Sequence, residues 1–307
     1  MSAPAEASRP PRPVRGGSVT RRRWWVPILF VAPNMIVFGL FTIWPAINGF
    51  NISLFDSSNG RTFTPVGSQN YQEILSDPEF RSVVLHTLIF VVGFVIGCVL
   101  FGTVLALLLN AQRRGRGLLR AAYFLPVVIS PVVVGLIWSW ALTRQNGLVN
   151  AVLSSWGLGK PGWLSEPGLA MISVVGVGLW THVGFYAMIL LAGLQSIPAN
   201  LNEAATIDGA SAWQQIRRIT LPLLRPTMLV VLVLATISGF QAFDYIYTLT
   251  GGGPVGATTL IVQYIYEKAF QSPIQYGLAA AGGVLFFVVV FAVTLINYFL
   301  GRRKGAV

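Results

Sequence analysis

The sequence predicts an all-α membrane protein with six transmembrane helices, and three observations predict it. The chain is 54% hydrophobic and only 10% charged, with a mean hydropathy of +0.67, whereas soluble domains carry about a quarter charged residues. Apolar stretches recur at 25–47, 84–110, 120–142, 168–193, 227–249 and 274–300. Each is long enough for the roughly 20 residues a helix needs to cross hydrocarbon. Basic residues alternate between the intervening segments. Segments 1–24, 111–120, 195–226 and 301–307 hold 16 of the 21 Lys and Arg, while 48–83, 143–167 and 250–273 hold only Arg61, Arg81, Arg144, Lys160 and Lys268. The positive-inside rule therefore puts both termini and the 111–120 and 195–226 loops in the cytoplasm.

Taken in order, residues 1–24 are rich in Pro, Ser, Ala and Arg and read as a disordered basic cytoplasmic tail. The first apolar stretch follows Arg21, Arg22 and Arg23 but is too long for a signal-peptide core. No small-residue cleavage site follows IWPAINGF, so it is read as an uncleaved span. The 48–83 segment contains SQNYQEILSDPEF, which reads as a short amphipathic helix on the outer surface. In the second span, Gly93-x-x-x-Gly97 predicts close helix packing. Cys98 is the only cysteine, which excludes an intramolecular disulfide or a multi-Cys metal site. Gly251-Gly252-Gly253-Pro254 predicts a tight turn ending the fifth span.

Polar residues inside spans are costly and face a bundle interior or an aqueous cavity. The fourth span offers Trp180, Thr181, His182 and Tyr186, the fifth Ser238, Gln241, Asp244 and Tyr245, and the sixth Asn297. Aromatic rings among hydroxyl and amide groups suit a sugar, whose apolar face stacks and whose hydroxyls bond. The first eight are the candidate path residues.

Between spans four and five lies NEAATIDGASAWQQIRRITLPLLRP. Pro198 closes the fourth span, and Asn200 with Glu203 has the spacing of a capping box. The helix LNEAATID ends at Gly209, suited to a left-handed turn. Ser211 with Gln214 repeats the capping pattern and opens a second helix, WQQIRRIT, stopped by Pro222. Leu201, Ala204 and Ala205 cluster on one side of the first helix. Such an insert either docks a protein or lies on lipid, and the residues alone leave both open.

Glu203-Ala204-Ala205, then Gly209, then Ile219-Thr220-Leu221-Pro222 resembles the EAA signature of permease subunits of binding-protein-dependent ABC importers, in their carbohydrate-uptake branch. AAYFLPVVISPVVVGLIWSWALTRQNGLVNAVL and FDYIYTLTGGGP are similar to two further stretches typical of those subunits. The resemblance implies a six-span permease domain over 25–307, with the insert within 195–226 as a coupling helix. Glu203, Ala204, Ala205, Asp208, Gly209, Ile219, Leu221 and Pro222 are then the ATPase-coupling residues. It also implies a second homologous permease subunit, two ATP-binding subunits carrying ATP and Mg, and an extracytoplasmic solute-binding protein. The location implied is the bacterial plasma (inner) membrane.

Other classes fit less well. Gly159-Lys160 is followed by Pro161 and no G-x-x-x-x-G-K-[ST] occurs, so this chain carries no phosphate cradle and any ATP belongs to a partner. No catalytic constellation appears, so an enzyme is not expected, nor a cofactor in this chain. The net charge of +11 lacks a soluble surface to bind nucleic acid. The alternatives are an ion-coupled carrier, for which Asp244 is the only intramembrane acid, and a membrane anchor recruiting a cytoplasmic partner.

Overall fold

Long apolar helices form along the apolar stretches of the sequence, because a backbone in hydrocarbon must satisfy its own hydrogen bonds. Residues 25–111 and 116–303 are described in the computed structural model of the chain. The expected tail 1–24, part of the basic 111–120 loop and the last residues of 301–307 lie outside the described residues. Two compact units are present, Met1–Asn48 and Gly49–Val307.

The first unit holds α1 (Trp25–Phe38), a five-residue π turn over Gly39–Ile43 and the start of α2 (Trp44–Ile52). The π turn has a local cause. Pro45 lacks an N–H and its ring would press on the carbonyl four residues back. The helix widens just before it, so that Trp44 N–H reaches Gly39 O.

The second unit begins with a small hairpin, β1 (Phe55–Asp56) antiparallel to β2 (Thr64–Pro65), followed by α3 (Gln69–Ser76). As expected for an amphipathic helix, α3 buries one side, Asn70 and Ile74. Asn70 Nδ2 donates to Ser53 O at 2.8 Å and Phe55 O at 2.9 Å, clamping the hairpin to the helix. The bundle consists of α4 (Pro78–Ala111), α5 (Arg116–Val128), α6 (Pro131–Ala141), α7 (Leu148–Ser155) and α8 (Pro167–Gln195). It continues through α9 (Ala199–Ile207), α10 (Ala212–Gln215), α11 (Leu221–Phe240), α12 (Asp244–Thr250), α13 (Ile261–Phe270) and α14 (Tyr276–Arg303).

α4, α8 and α11 pack around one core containing Phe90, Phe94, Ala187, Leu190, Val231 and Ala235. Small residues set the approach, as expected where lipid supplies no hydrophobic drive. A Cβ on Gly97 would lie 2.6 Å from Leu179 of α8, and one on Gly193 would lie 2.5 Å from Thr227 Oγ1 of α11. The GxxxG reading thus holds for α4 against α8. In the same core Asn297 Nδ2 donates to Thr236 Oγ1 at 3.3 Å, joining α14 to α11.

Four expectations are corrected. The third stretch is not one straight helix: α5 and α6 meet at a 97° bend, and counted as one broken span they bring the spans among the described residues to the expected six. Pro131 causes this, because the residue before a proline is pushed out of the α region, and Ser130 is extended at ψ 133. The fifth stretch also breaks, with α11 ending at Phe240 and α12 starting at Asp244. In the insert, Pro198 and not Asn200 is the N-cap of α9, with no side-chain cap bond, so the first capping box does not form. Nor does Pro222 stop the second helix. A second π turn, Ile216–Thr220, takes Leu221 N–H to Ile216 O just ahead of it, and the helix runs on from Ala212 to Phe240.

Candidate functional site

The two helix breaks face each other. α12 packs against α6, and Gly135 makes that crossing possible. A Cβ there would overlap Thr248 Oγ1 and lie 2.7 Å from Tyr245 O. Between the breaks and α8 is a cavity of about 200 Å³. Phe94 and Pro131 contribute walls, and His182, Ser238, Gln241 and residues 242–245 supply the rest. Of the eight expected path residues, His182, Ser238, Gln241, Asp244 and Tyr245 therefore meet in one place.

Local geometry defines what each can do. His182 Nδ1 lies 2.9 Å from Gly178 O. A carbonyl only accepts, so Nδ1 carries the hydrogen and Nε2 is left as an acceptor. The imidazole stands edge-on to Phe94, with centroids 5.3 Å apart. Tyr186 is buried and its hydroxyl donates to Ser238 Oγ at 3.1 Å, leaving the serine proton free to donate elsewhere. Tyr245 is buried with a hydroxyl that meets no partner, in space cleared by Gly178, where a Cβ would come within 2.6 Å of it. Gln241 and Asp244 are exposed at the break. The cavity thus offers an imidazole acceptor, a hydroxyl, an amide and a carboxylate between the aromatic rings of Phe94 and Phe243.

The other expected path residues lie elsewhere. Thr181 is buried and donates to Val177 O at 2.9 Å, within its own helix. Trp180 is 41% exposed on another side of α8 and contacts Trp138 edge-on at 5.5 Å. It borders a separate, largely apolar cavity of about 690 Å³ between α4, α5 and α8. Tyr186 supports Ser238 from behind the wall. Sequence reasoning missed Phe94, Pro131 and Phe243, and only Pro131 carried a signal, as a helix breaker within an apolar run.

At the far end of α11, Gly209 has φ +79, the left-handed turn expected of it. Ser211 and Gln214 form the reciprocal capping box, with bonds of 2.8 and 3.4 Å. Gln215 Nε2 donates to Thr206 Oγ1 at 3.0 Å and Ala210 O at 3.1 Å, tying α9 to the helix that continues into α11. Glu203, Ala204 and Asp208 are exposed, and Ala205 is buried. Ile219, Leu221 and Pro222 are half-buried along the π turn and the start of α11. Ile207 and Trp213 stand 86% and 67% exposed on the same insert.

A multi-pass helical protein with an internal polar cavity and a protruding helical insert is a membrane permease by architecture. Residues 98–305 match the model of the binding-protein-dependent transport system inner membrane component family. The chain belongs to that family. It is 37% identical over 280 residues to the trehalose/maltose transport system permease protein MalF of Thermococcus litoralis, covering 90% of this chain and 93% of the relative. It is 33% identical to the multiple sugar-binding transport system permease protein MsmF of Streptococcus mutans, covering 92% and 96%. Its fold matches, with a TM-score of 0.80 and 27% identity over 91% of this chain and 96% of the other, a chain of a bacterial ABC transporter involved in the import of the acidic polysaccharide alginate. This chain is accordingly a multi-pass inner-membrane subunit of an ABC importer, a transporter component and not itself an enzyme.

Proposed function

We propose that the chain carries a sugar or sugar-like solute inward, as one of two homologous permease subunits served by two ATP-binding subunits and an extracytoplasmic solute-binding protein. The solute class covers di- and oligosaccharides, polyols and glycerol phosphodiesters. The named relatives that import sugars support the class, and the mixture of aromatic rings and hydrogen-bonding groups in the cavity suits it. At about 200 Å³ the cavity is smaller than the roughly 300–1,000 Å³ of a complete ligand site. It forms one wall, and the second permease subunit completes the site. Both termini and the 195–226 loop face the cytoplasm, following the basic residues.

One observation carries the mechanism. The helix from Ala212 to Phe240 is uninterrupted for 29 residues, about 43 Å at 1.5 Å per residue. One end is bonded to α9 and the other ends at the cavity. α9 is the coupling helix, with Glu203 bonding a basic residue of the ATPase and Ala204 and Ala205 allowing close seating. Gly209 makes the corner, Asp208 precedes it, and Ile219, Leu221 and Pro222 hold the insert to the span. ATP and Mg act on the ATPase subunits. Closure of that pair displaces α9, the rigid helix moves with it, and the cavity switches access between two states.

The test is Glu203→Lys in the assembled importer. Uptake is expected to be lost while the chain still inserts, with ATP hydrolysis no longer responding to the binding protein. Unchanged uptake that needs no ATP would transfer the reading to an ion-coupled carrier.

A further inference from the structure

α13 carries aromatic residues on two sides, and only one side is needed for packing. Tyr264 is buried, 5.5 Å from Phe80 in the satellite core beneath the helix. Tyr266 and Phe270 are one turn apart on a different side and belong to neither core cluster. Tyr266 meets the rings of Phe243, which caps α12, and of Tyr247 on α12 instead. Phe270 lies 5.2 Å from Tyr266 between centroids, Tyr266 lies 5.6 Å from Tyr247 and 5.2 Å from Phe243, and Phe243 lies 5.3 Å from Tyr247. Phe243 lines the cavity, whereas Phe270 is 68% exposed, and the two tyrosines between them are half-buried. A continuous row of rings therefore runs from open surface to the cavity wall. Polar groups flank it: Gln271 Nε2 donates to the Tyr247 hydroxyl at 3.4 Å, and Gln241 and Asp244 stand at the cavity end.

We propose that Phe270, Tyr266, Tyr247 and Phe243 form an aromatic guide for saccharides, leading from the surface at α13 to the cavity. The inference rests on the sugar reading above and on α13 lying at the extracytoplasmic end. A pyranose has an apolar C–H face that stacks on an aromatic ring while its hydroxyls remain solvated at the edges. Successive rings at short spacing let a sugar pass by small steps, stacking on the next ring as it leaves the one before. Weak, repeated binding speeds passage where one tight site would hold the solute. Stacking reads hydroxyl configuration only through which face presents C–H groups, so the guide accepts many sugars and leaves finer discrimination to the polar groups around His182 and Gln241.

The experiment uses the complete importer in vesicles with its binding protein, and maltose, trehalose and maltotriose as probes. Tyr266→Leu and Phe270→Leu are compared with Tyr266→Phe on a sugar the wild type takes up. The leucine variants are expected to lower uptake at limiting sugar about three- to tenfold, the range one aromatic contact supplies, while Tyr266→Phe stays near wild type. Wild-type uptake in both leucine variants, alongside loss in Asp244→Ala, would overturn the guide and leave the cavity reading standing. Equal losses in Leu and Phe variants, matched by lower thermal stability, would make the row simple packing and overturn it too. No uptake of any of the three sugars by wild type, with hydrolysis still stimulated by the binding protein, would overturn the guide as a general saccharide path and shift the solute reading to the polyols and glycerol phosphodiesters.

Discussion

Gly135→Ala is the sharpest probe of how the cavity is built. The added methyl would overlap Thr248 Oγ1 and sit 2.7 Å from Tyr245 O and 2.9 Å from Thr248 Cβ. Thr248 can rotate its hydroxyl away, but a backbone carbonyl cannot be moved alone. Bringing Tyr245 O out to an ordinary contact of 3.4 Å requires α6 and α12 to part by about 0.7 Å. Overpacking of this kind costs about 1–3 kcal/mol. The displaced segment carries Asp244 and Tyr245 with it, and shifts near 1 Å at a working site cost up to about a hundredfold in function. We expect Gly135→Ala to insert normally, lose some thermal stability in detergent and fall at least about tenfold in sugar uptake. Gly176→Ala, where a Cβ meets nothing within 4 Å on α8, is the control and should be neutral or slightly stabilising, because Ala favours a helix by about 1 kcal/mol over Gly. Equal uptake and equal melting in the two variants would refute the close crossing of α6 and α12.

Two further outcomes test the outer elements. Asn70→Leu removes both donors to Ser53 O and Phe55 O; each orphaned buried carbonyl costs about 1–3 kcal/mol, so amide exchange over residues 53–67 should rise markedly while exchange in α8 is unchanged. Burial and the neighbouring Asp77 carboxylate, which accepts from the Tyr264 hydroxyl at 3.0 Å, push Tyr264 above the usual tyrosine value. The folded chain therefore holds this proton more tightly than the unfolded chain. That contribution is complete below about pH 10 and declines as pH rises further. Melting temperature should fall above pH 10 in the wild type and fall less steeply in Tyr264→Phe.

What could be read in the sequence was local. The Ser211–Gln214 capping box and the left-handed Gly209 depend on neighbours within a few residues, and both are present. The failures in the same insert show the limit. Asn200 had the right spacing for a cap, yet Pro198 begins α9, and the break expected at Pro222 is absorbed by one widened turn at Ile216–Thr220. Proline punctuation thus had three outcomes: a π turn before Pro45 and Pro222, a 97° bend before Pro131, and a helix that runs on through Pro33, Pro126 and Pro226. Only the packing partners distinguish them, because α6 turns to meet α12.

The sequence by itself determined the apolar stretches, their alternation with basic segments and the polar insert between the fourth and fifth. These follow from hydropathy summed along one run of chain, and from charge, which is indifferent to how helices later pack. It could not say which side of each helix faces the cavity. α8 is apolar nearly all round, so no polar stripe marks its inner face, and Trp180 and His182, two residues apart, point in different directions. Tertiary structure alone decided that His182, Ser238, Gln241, Asp244 and Tyr245 converge while Trp180 and Thr181 do not. The physical reason is that the cavity exists only where two broken helices cross at glycine contacts, and such contacts join residues more than a hundred positions apart.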